Sequence, residues 1–155
     1  MTPAKFKNFR KALVAWARAD LTATGSTGGL LAAVGGVANN IRARTQDEEA
    51  APLPGLLLTI QSVEKAFDGC DEIYTTNVLC EAFALDALTA LDIAGAVENL
   101  AAMNPTTYAD AEFVSSGVRT VSLRSVGAQA PYGESTILPN VYGADVLLRI
   151  VWKEA

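Results

Sequence analysis

The 155-residue chain contains no histidine. A histidine-based triad, an imidazole general base and a zinc or iron site with imidazole ligands are therefore excluded, and much common enzyme chemistry goes with them. Cysteine is nearly as scarce: Cys70 and Cys80 are spaced as neither a CxxC pair nor a metal-ligand set. Cys80 falls at a buried strand position, so the thiols read as reduced, inert groups in a cytosol. Charged residues make up only 19% and aromatics 7%, yet half the chain is hydrophobic. That composition suits neither a disordered nor a fibrous chain. A domain of this size buries roughly 70% of the surface its unfolded form exposes, so it needs no metal or disulfide to support one core.

Long hydrophobic runs are missing too. Lys5 to Lys11 followed by Ala12 to Ala17 begins like a signal peptide, but Arg18 and Asp20 interrupt it and no small-residue cleavage site follows. The 21 uncharged residues from Leu21 to Ile41 include five glycines, leaving only Leu30 to Val37 as an apolar core. No membrane partner is expected from such a stretch.

The net charge of −5 argues against a general nucleic-acid binder, and no direct sequence-specific nucleic-acid binding is expected; the total conceals an uneven distribution. Residues 1–44 carry a net +6, residues 45–116 a net −12, and residues 117–155 a net +1. Opposite charges on different faces let a subunit dock head to tail on its own copy, and such a contact closes into a ring if the rotation permits. The alternative is that both signs simply mix on a solvated surface.

Thr2-Pro3 is a helix start, a hydroxyl cap followed by proline at the first helical position. The spacing predicts a helix from Pro3 to about Leu21, with Phe6, Phe9, Leu13 and Trp16 forming one apolar stripe. Lys7, Arg10, Lys11 and Arg18 gather on nearly the opposite side, as a solvated face or a contact for an acidic partner. Thr22 to Asn40 is Gly-rich and reads as a flexible connection with a helical turn or two at Leu30 to Val34; it matches neither phosphate-loop pattern. Asp47 to Glu49 and Pro52 to Gly55 make a second loop.

Strands are predicted at Leu56 to Val63 and Ile73 to Leu85, joined by a turn at Phe67 to Asp71 and read as an antiparallel pair. In the second, Tyr74, Thr76, Val78, Cys80, Ala82 and Ala84 share one face, opposite Thr75, Asn77 and Glu81. Asp86 caps a helix from Ala87 to Met103, stopped by Asn104-Pro105, whose inner face is Ala90, Ile93, Ala94, Val97, Leu100 and Ala101 with Asp92 and Glu98 facing out. After a polar stretch from Thr106 to Ser116, Val118 to Val126 and Val141 to Lys153 alternate as two further strands. The loop Gly127 to Asn140 between them is longer than a hairpin needs and carries the apolar groups Tyr132, Ile137 and Leu138, which point to a partner surface.

No catalytic constellation stands out. Asp68, Asp71 and Glu72 share a turn but lack the spacing of a calcium loop, and Lys65, beside Glu64 at a strand end, is an ordinary exposed lysine. No catalytic, cofactor or metal residues are expected. A small cytosolic ligand-binding domain using that acidic turn is the alternative from a different class.

The order of elements, with "PLPGLLLTIQSV" after a proline-bearing loop, "YTTNVLCEAFALDALTALDIAGAVENLA" as a strand running into a helix, and the closing "YGADVLLRIVWKE", resembles the tail-terminator (tail-completion) family of long-tailed bacteriophages from about Phe6 to Glu154. The resemblance implies an α+β subunit, a mainly antiparallel sheet of four to five strands with two helices on one face, that forms a homohexameric ring. Such a ring caps the tail tube, ends tube polymerisation and offers a surface to the head-tail connector. The implied partners are further copies of the chain, the tail tube protein and the connector or neck protein, in a virion assembled in the host cytoplasm. Another neck or tail-tube component is the nearest alternative. Under the resemblance, Lys7, Arg10, Lys11 and Arg18 with Tyr132, Ile137 and Leu138 become candidate partner or subunit interfaces.

Overall fold

The computed structural model describes residues 3–19, 29–44, 53–102, 113, 115–128 and 141–154. Helix α1 (Pro3–Ala19) is followed by a short helix α2 (Leu30–Ala33), a 3-10 turn (Ala38–Asn40) and strand β1 (Ile41–Ala43). Strands β2 (Gly55–Asp68) and β3 (Asp71–Ala84), helix α3 (Ala87–Ala102), and strands β4 (Val118–Ala128) and β5 (Tyr142–Glu154) complete it. The fold is α+β, with one five-stranded sheet in the order β1-β2-β3-β5-β4. Every neighbouring pair is antiparallel except β1 with β2.

The β2–β3 hairpin is longer than the sequence pattern suggests. Glu64 and Lys65 do not end β2; they pair with Thr75 and Tyr74, and the ladder runs to Asp68 opposite Asp71. Polar residues are tolerated there because this part of β2 is exposed on both faces, from Glu64 to Phe67. Gly69 turns the hairpin at φ +64°, a conformation that costs a residue with a Cβ. In β3, burial alternates as predicted, with Tyr74, Thr76, Val78, Cys80, Ala82 and Ala84 inward. In β4 it does not: register shifts after Thr120 and after Ser125 leave Val121 and Val126 exposed. Each bulge inserts one unpaired residue, which breaks the period of two.

The core lies between one face of this sheet and the helices. Phe9, Leu13 and Trp16 from α1 are buried against it, as are Ala90, Ile93, Ala94, Val97, Leu100 and Ala101 from α3. Six aromatics meet here: Phe6, Phe9, Trp16, Tyr74, Phe113 and Trp152. Trp152 stacks on Phe9 and on Tyr74, each at 4.6 Å, while Phe113 packs against Phe9 and Trp16. Trp152 also donates its indole N–H to Thr76 Oγ1 at 2.9 Å, so its polar atom is paired in the interior.

The helical turn expected at Leu30 to Val34 is α2, and it ends in a Schellman motif: Gly36 N–H donates to Leu31 C=O at 2.8 Å, and Gly35 N–H to Ala32 C=O at 3.0 Å. Gly35 supplies the left-handed φ of +78° that this stop requires. Strand β1 was not predicted. Buried Asn40 ties its start to the core, donating from Nδ2 to Pro54 C=O at 2.9 Å and to Val34 C=O at 3.2 Å. The helix ends at Leu21 and Met103, the Thr2 cap and the stop at Asn104-Pro105 lie outside the described residues, as do 20–28, 45–52, 103–112 and 129–140.

Candidate functional site: a cationic groove and an acidic apolar ridge

Lys7, Arg10, Lys11 and Arg18 fall at three-, four- and seven-residue steps, so one side of α1 carries all four. With Arg42 of β1 they line an open groove of about 740 Å³, floored by the apolar groups of Val14, Ala15 and Ala43. The four residues singled out in the sequence are thus brought together, and a fifth cation joins them. Among the described residues none of the five pairs with a carboxylate.

Three of the five serve the fold. β1 is an edge strand bonded only to β2, so the carbonyls of Ile41 and Ala43 face away from the sheet. Arg18 Nε–H donates to Ile41 C=O at 3.0 Å, and Arg10 donates through Nη2 to Ala43 C=O at 3.2 Å. Arg42 Nε–H donates to Asn39 C=O at 2.7 Å. The two α1 arginines thereby satisfy edge groups that would otherwise be open to another strand. Among the described residues Lys7 and Lys11 make no such bond, and both are exposed. The sequence showed the basic stripe but not this division of labour, because β1 is only three residues long.

At the far end of the β2–β3 hairpin the acidic turn is occupied by the protein's own lysines. Glu72 accepts from Lys65 Nζ at 3.0 Å, from Lys5 Nζ at 3.3 Å and from the Tyr74 hydroxyl. Lys5 reaches Glu154 at 3.1 Å, and Lys153 approaches Asp71 at 3.8 Å. The Tyr74 hydroxyl, then Lys65, hold the Glu72 carboxyl down to about 2. The same contact raises Tyr74, and the bond to Glu154 raises Lys5. Lys65 is therefore an ion-pair partner within a strand rather than a free lysine at its end. Among the described residues no cluster of three cysteine, aspartate or glutamate side chains could hold a metal ion.

A second surface feature escaped the sequence reading. Leu85, Leu88 and Leu91 are exposed, Leu88 by 73%, and Asp86 and Asp92 accompany them. These residues form a ridge along the solvent side of α3 and its N-terminus, and on its α2 side Leu91 and Asp92 border an open cleft with Ala32, Ala33 and Ala96. The available signal was the three-residue spacing of those leucines opposite the inner stripe, which makes α3 apolar on two sides. Asp86 also caps the helix: Thr89 N–H and Thr89 Oγ1 both donate to its carboxylate at 2.8 Å, which lowers its pKa. Glu98 was expected to face out but is half-buried, accepting from Ser125 at 3.4 Å.

On the sheet face away from the helices, Glu81 lies opposite Asp145 in register, and Arg44 reaches Glu81 at 3.3 Å. Burial pushes the Glu81 carboxyl up, with Arg44 opposing. Burial likewise pushes the Cys80 thiol well above its usual range, in keeping with the inert role expected of it. Tyr132, Ile137 and Leu138, the loop candidates, lie outside the described residues. No described helix is long and apolar enough to cross a membrane.

These observations define an α+β domain with helices on one sheet face and two surface features of unlike character. No family model matches the chain, and no curated protein is similar to it. Among solved structures, a chain described as "Virion of native gene transfer agent (GTA) particle" superposes with a TM-score of 0.45 at 15% identity, covering 88% of this chain and 97% of that one.

Proposed function

We propose that this chain is a structural virion protein, a tail terminator whose hexameric ring caps a phage tail tube. The ring ends tube polymerisation and presents the head-tail joining surface. Its partners are copies of itself, the tail tube protein and the connector or neck protein, and its work is docking without bond chemistry. The observation that carries the reading is the unit from Tyr74 to Ala101: β3 runs through Asp86 straight into α3 and is followed by the β4–β5 pair. That is the order on which the resemblance to the tail-terminator family rests. The separate cationic groove and acidic apolar ridge add support, because a ring subunit needs two unlike surfaces.

The test is the mass and shape of the pure protein. Rings near six times the 16.2 kDa chain mass are expected in negative stain and light scattering. A species that stays monomeric at micromolar concentration overturns the proposal. Long tubes would instead assign the chain to tail-tube subunits.

A further inference from the structure

The geometry points to one specific subunit contact: the ridge on α3, carrying Leu88, Leu91 and Asp92, seats in the Lys7–Lys11 groove of the next copy. This contact rests on the ring reading proposed above and names the surfaces that close it. Three features select the occupant. The groove presents five cations and, among the described residues, no carboxylate to balance them. The ridge presents Asp86 and Asp92 beside exposed leucines. Among the described residues the two surfaces are thus opposite in charge, and the groove also has an apolar lining, Val14, Ala15 and Ala43, against which a leucine can rest.

The positions fit a head-to-tail arrangement. α2 packs against both α1 and α3, so it stands between the helix that bears the groove and the helix that bears the ridge. A subunit cannot seat its own ridge in its own groove across that helix, whereas two copies can, leaving one groove and one ridge free for the next. Nucleic acid fits less well. A phosphate backbone would use the cations but leave the apolar floor and the ridge leucines uncovered, and the chain as a whole is acidic at −5. Opposite charges around an apolar centre also speed encounter and fix register.

The test uses two full-length variants. Lys7→Glu with Lys11→Glu spoils the groove without touching the arginines that hold β1, and Leu88→Ser with Asp92→Asn spoils the ridge without offering the altered groove a cation. Each alone should lose its rings, with the assembly dissociation constant raised at least about tenfold, while the melting temperature stays within a few degrees of wild type. Mixed in equal amounts, they should form pairs of twice the 16.2 kDa chain mass and nothing larger, because one intact groove meets one intact ridge. If either variant unfolds, Lys7→Gln with Lys11→Gln or Leu88→Ser replaces it. Wild-type rings that persist in either folded variant, or variants that fail to pair, overturn the contact and leave the ring reading standing. A wild-type chain that never assembles overturns both. Binding of duplex DNA that the Lys7 and Lys11 changes abolish while rings remain overturns the contact in favour of a phosphate site.

Discussion

Trp152 on β5 donates its indole N–H to the hydroxyl of Thr76 on β3 across 2.9 Å, and both residues are fully buried. Their strands are neighbours, with Tyr74 directly opposite Trp152 and Ile150 opposite Thr76, so the bond runs diagonally across one face of the ladder. Thr76→Val keeps the shape and removes the acceptor. The buried indole N–H is then unpaired, and unfolding in urea should show a loss of about 1–3 kcal/mol. Thr76→Ser, which retains the acceptor, should cost clearly less.

The Glu72 cluster gives the hairpin a pH dependence of fixed sign. Its folded-state pKa is about 2, below the ordinary 4.5, so ionised Glu72 favours the folded state above the unfolded value. That contribution is complete above about pH 5 and is lost as pH falls from about 4.5 toward 2. The stability gap between wild type and Glu72→Gln, measured by urea unfolding at stepped pH, should therefore be constant from pH 6 to 8 and shrink steadily through the acid range. A gap that widens in acid would contradict this arrangement.

Arg18 and Lys7 sit on the same side of α1 and should respond differently to neutralisation. Arg18→Met removes the bond to the Ile41 carbonyl and should cost about 1 kcal/mol. Exchange of the Arg44 amide, which donates to Leu58 C=O at 2.9 Å, should quicken in the same variant as β1 loosens. Lys7→Met should leave stability within about 0.5 kcal/mol of wild type.

At the start of α3, Asp86→Ala should lower the melting temperature, while Asp86→Asn should nearly preserve it. Asparagine can still accept from the Thr89 amide, whereas alanine leaves that donor without its cap. Equal losses for the two variants would show that charge, and not the cap, is what Asp86 contributes there.

Phe9→Ala is expected to be the most damaging of these changes, at about 3–5 kcal/mol, because the Phe9 ring has no exposure and stacks at 4.6 Å on Trp152. Against a total stability of roughly 5–15 kcal/mol, such a loss brings the domain close to unfolding, visible as lost near-ultraviolet dichroism.

Local pattern was enough to identify most of the elements. The stripe Phe6, Phe9, Leu13 and Trp16, the alternation from Tyr74 to Ala84, the Asp86 cap and the final strand are each encoded within a few neighbouring residues, and each lies where the pattern placed it. β1 was illegible because Ile41–Ala43 is too short to show a period, and it exists as a strand through pairing with Leu56 to Leu58 and the arginines of α1. The β4 bulges were illegible for a related reason: which residue is skipped depends on the partner strand, here β5.

The sequence by itself determined most of the secondary elements, the small and apolar inner face of α3, the uneven charge and the missing imidazole chemistry, since all of these are properties of residues close together in the chain. Only the tertiary structure decided that Glu72 of the acidic turn pairs with Lys5 and Lys65, and that two arginines serve the edge of β1 while Lys7 and Lys11 remain exposed. It alone also brought Arg42 into the groove and left the α3 leucines uncovered. Charges and apolar side chains act through distance and solvent exposure, and both are set when segments remote in sequence pack together.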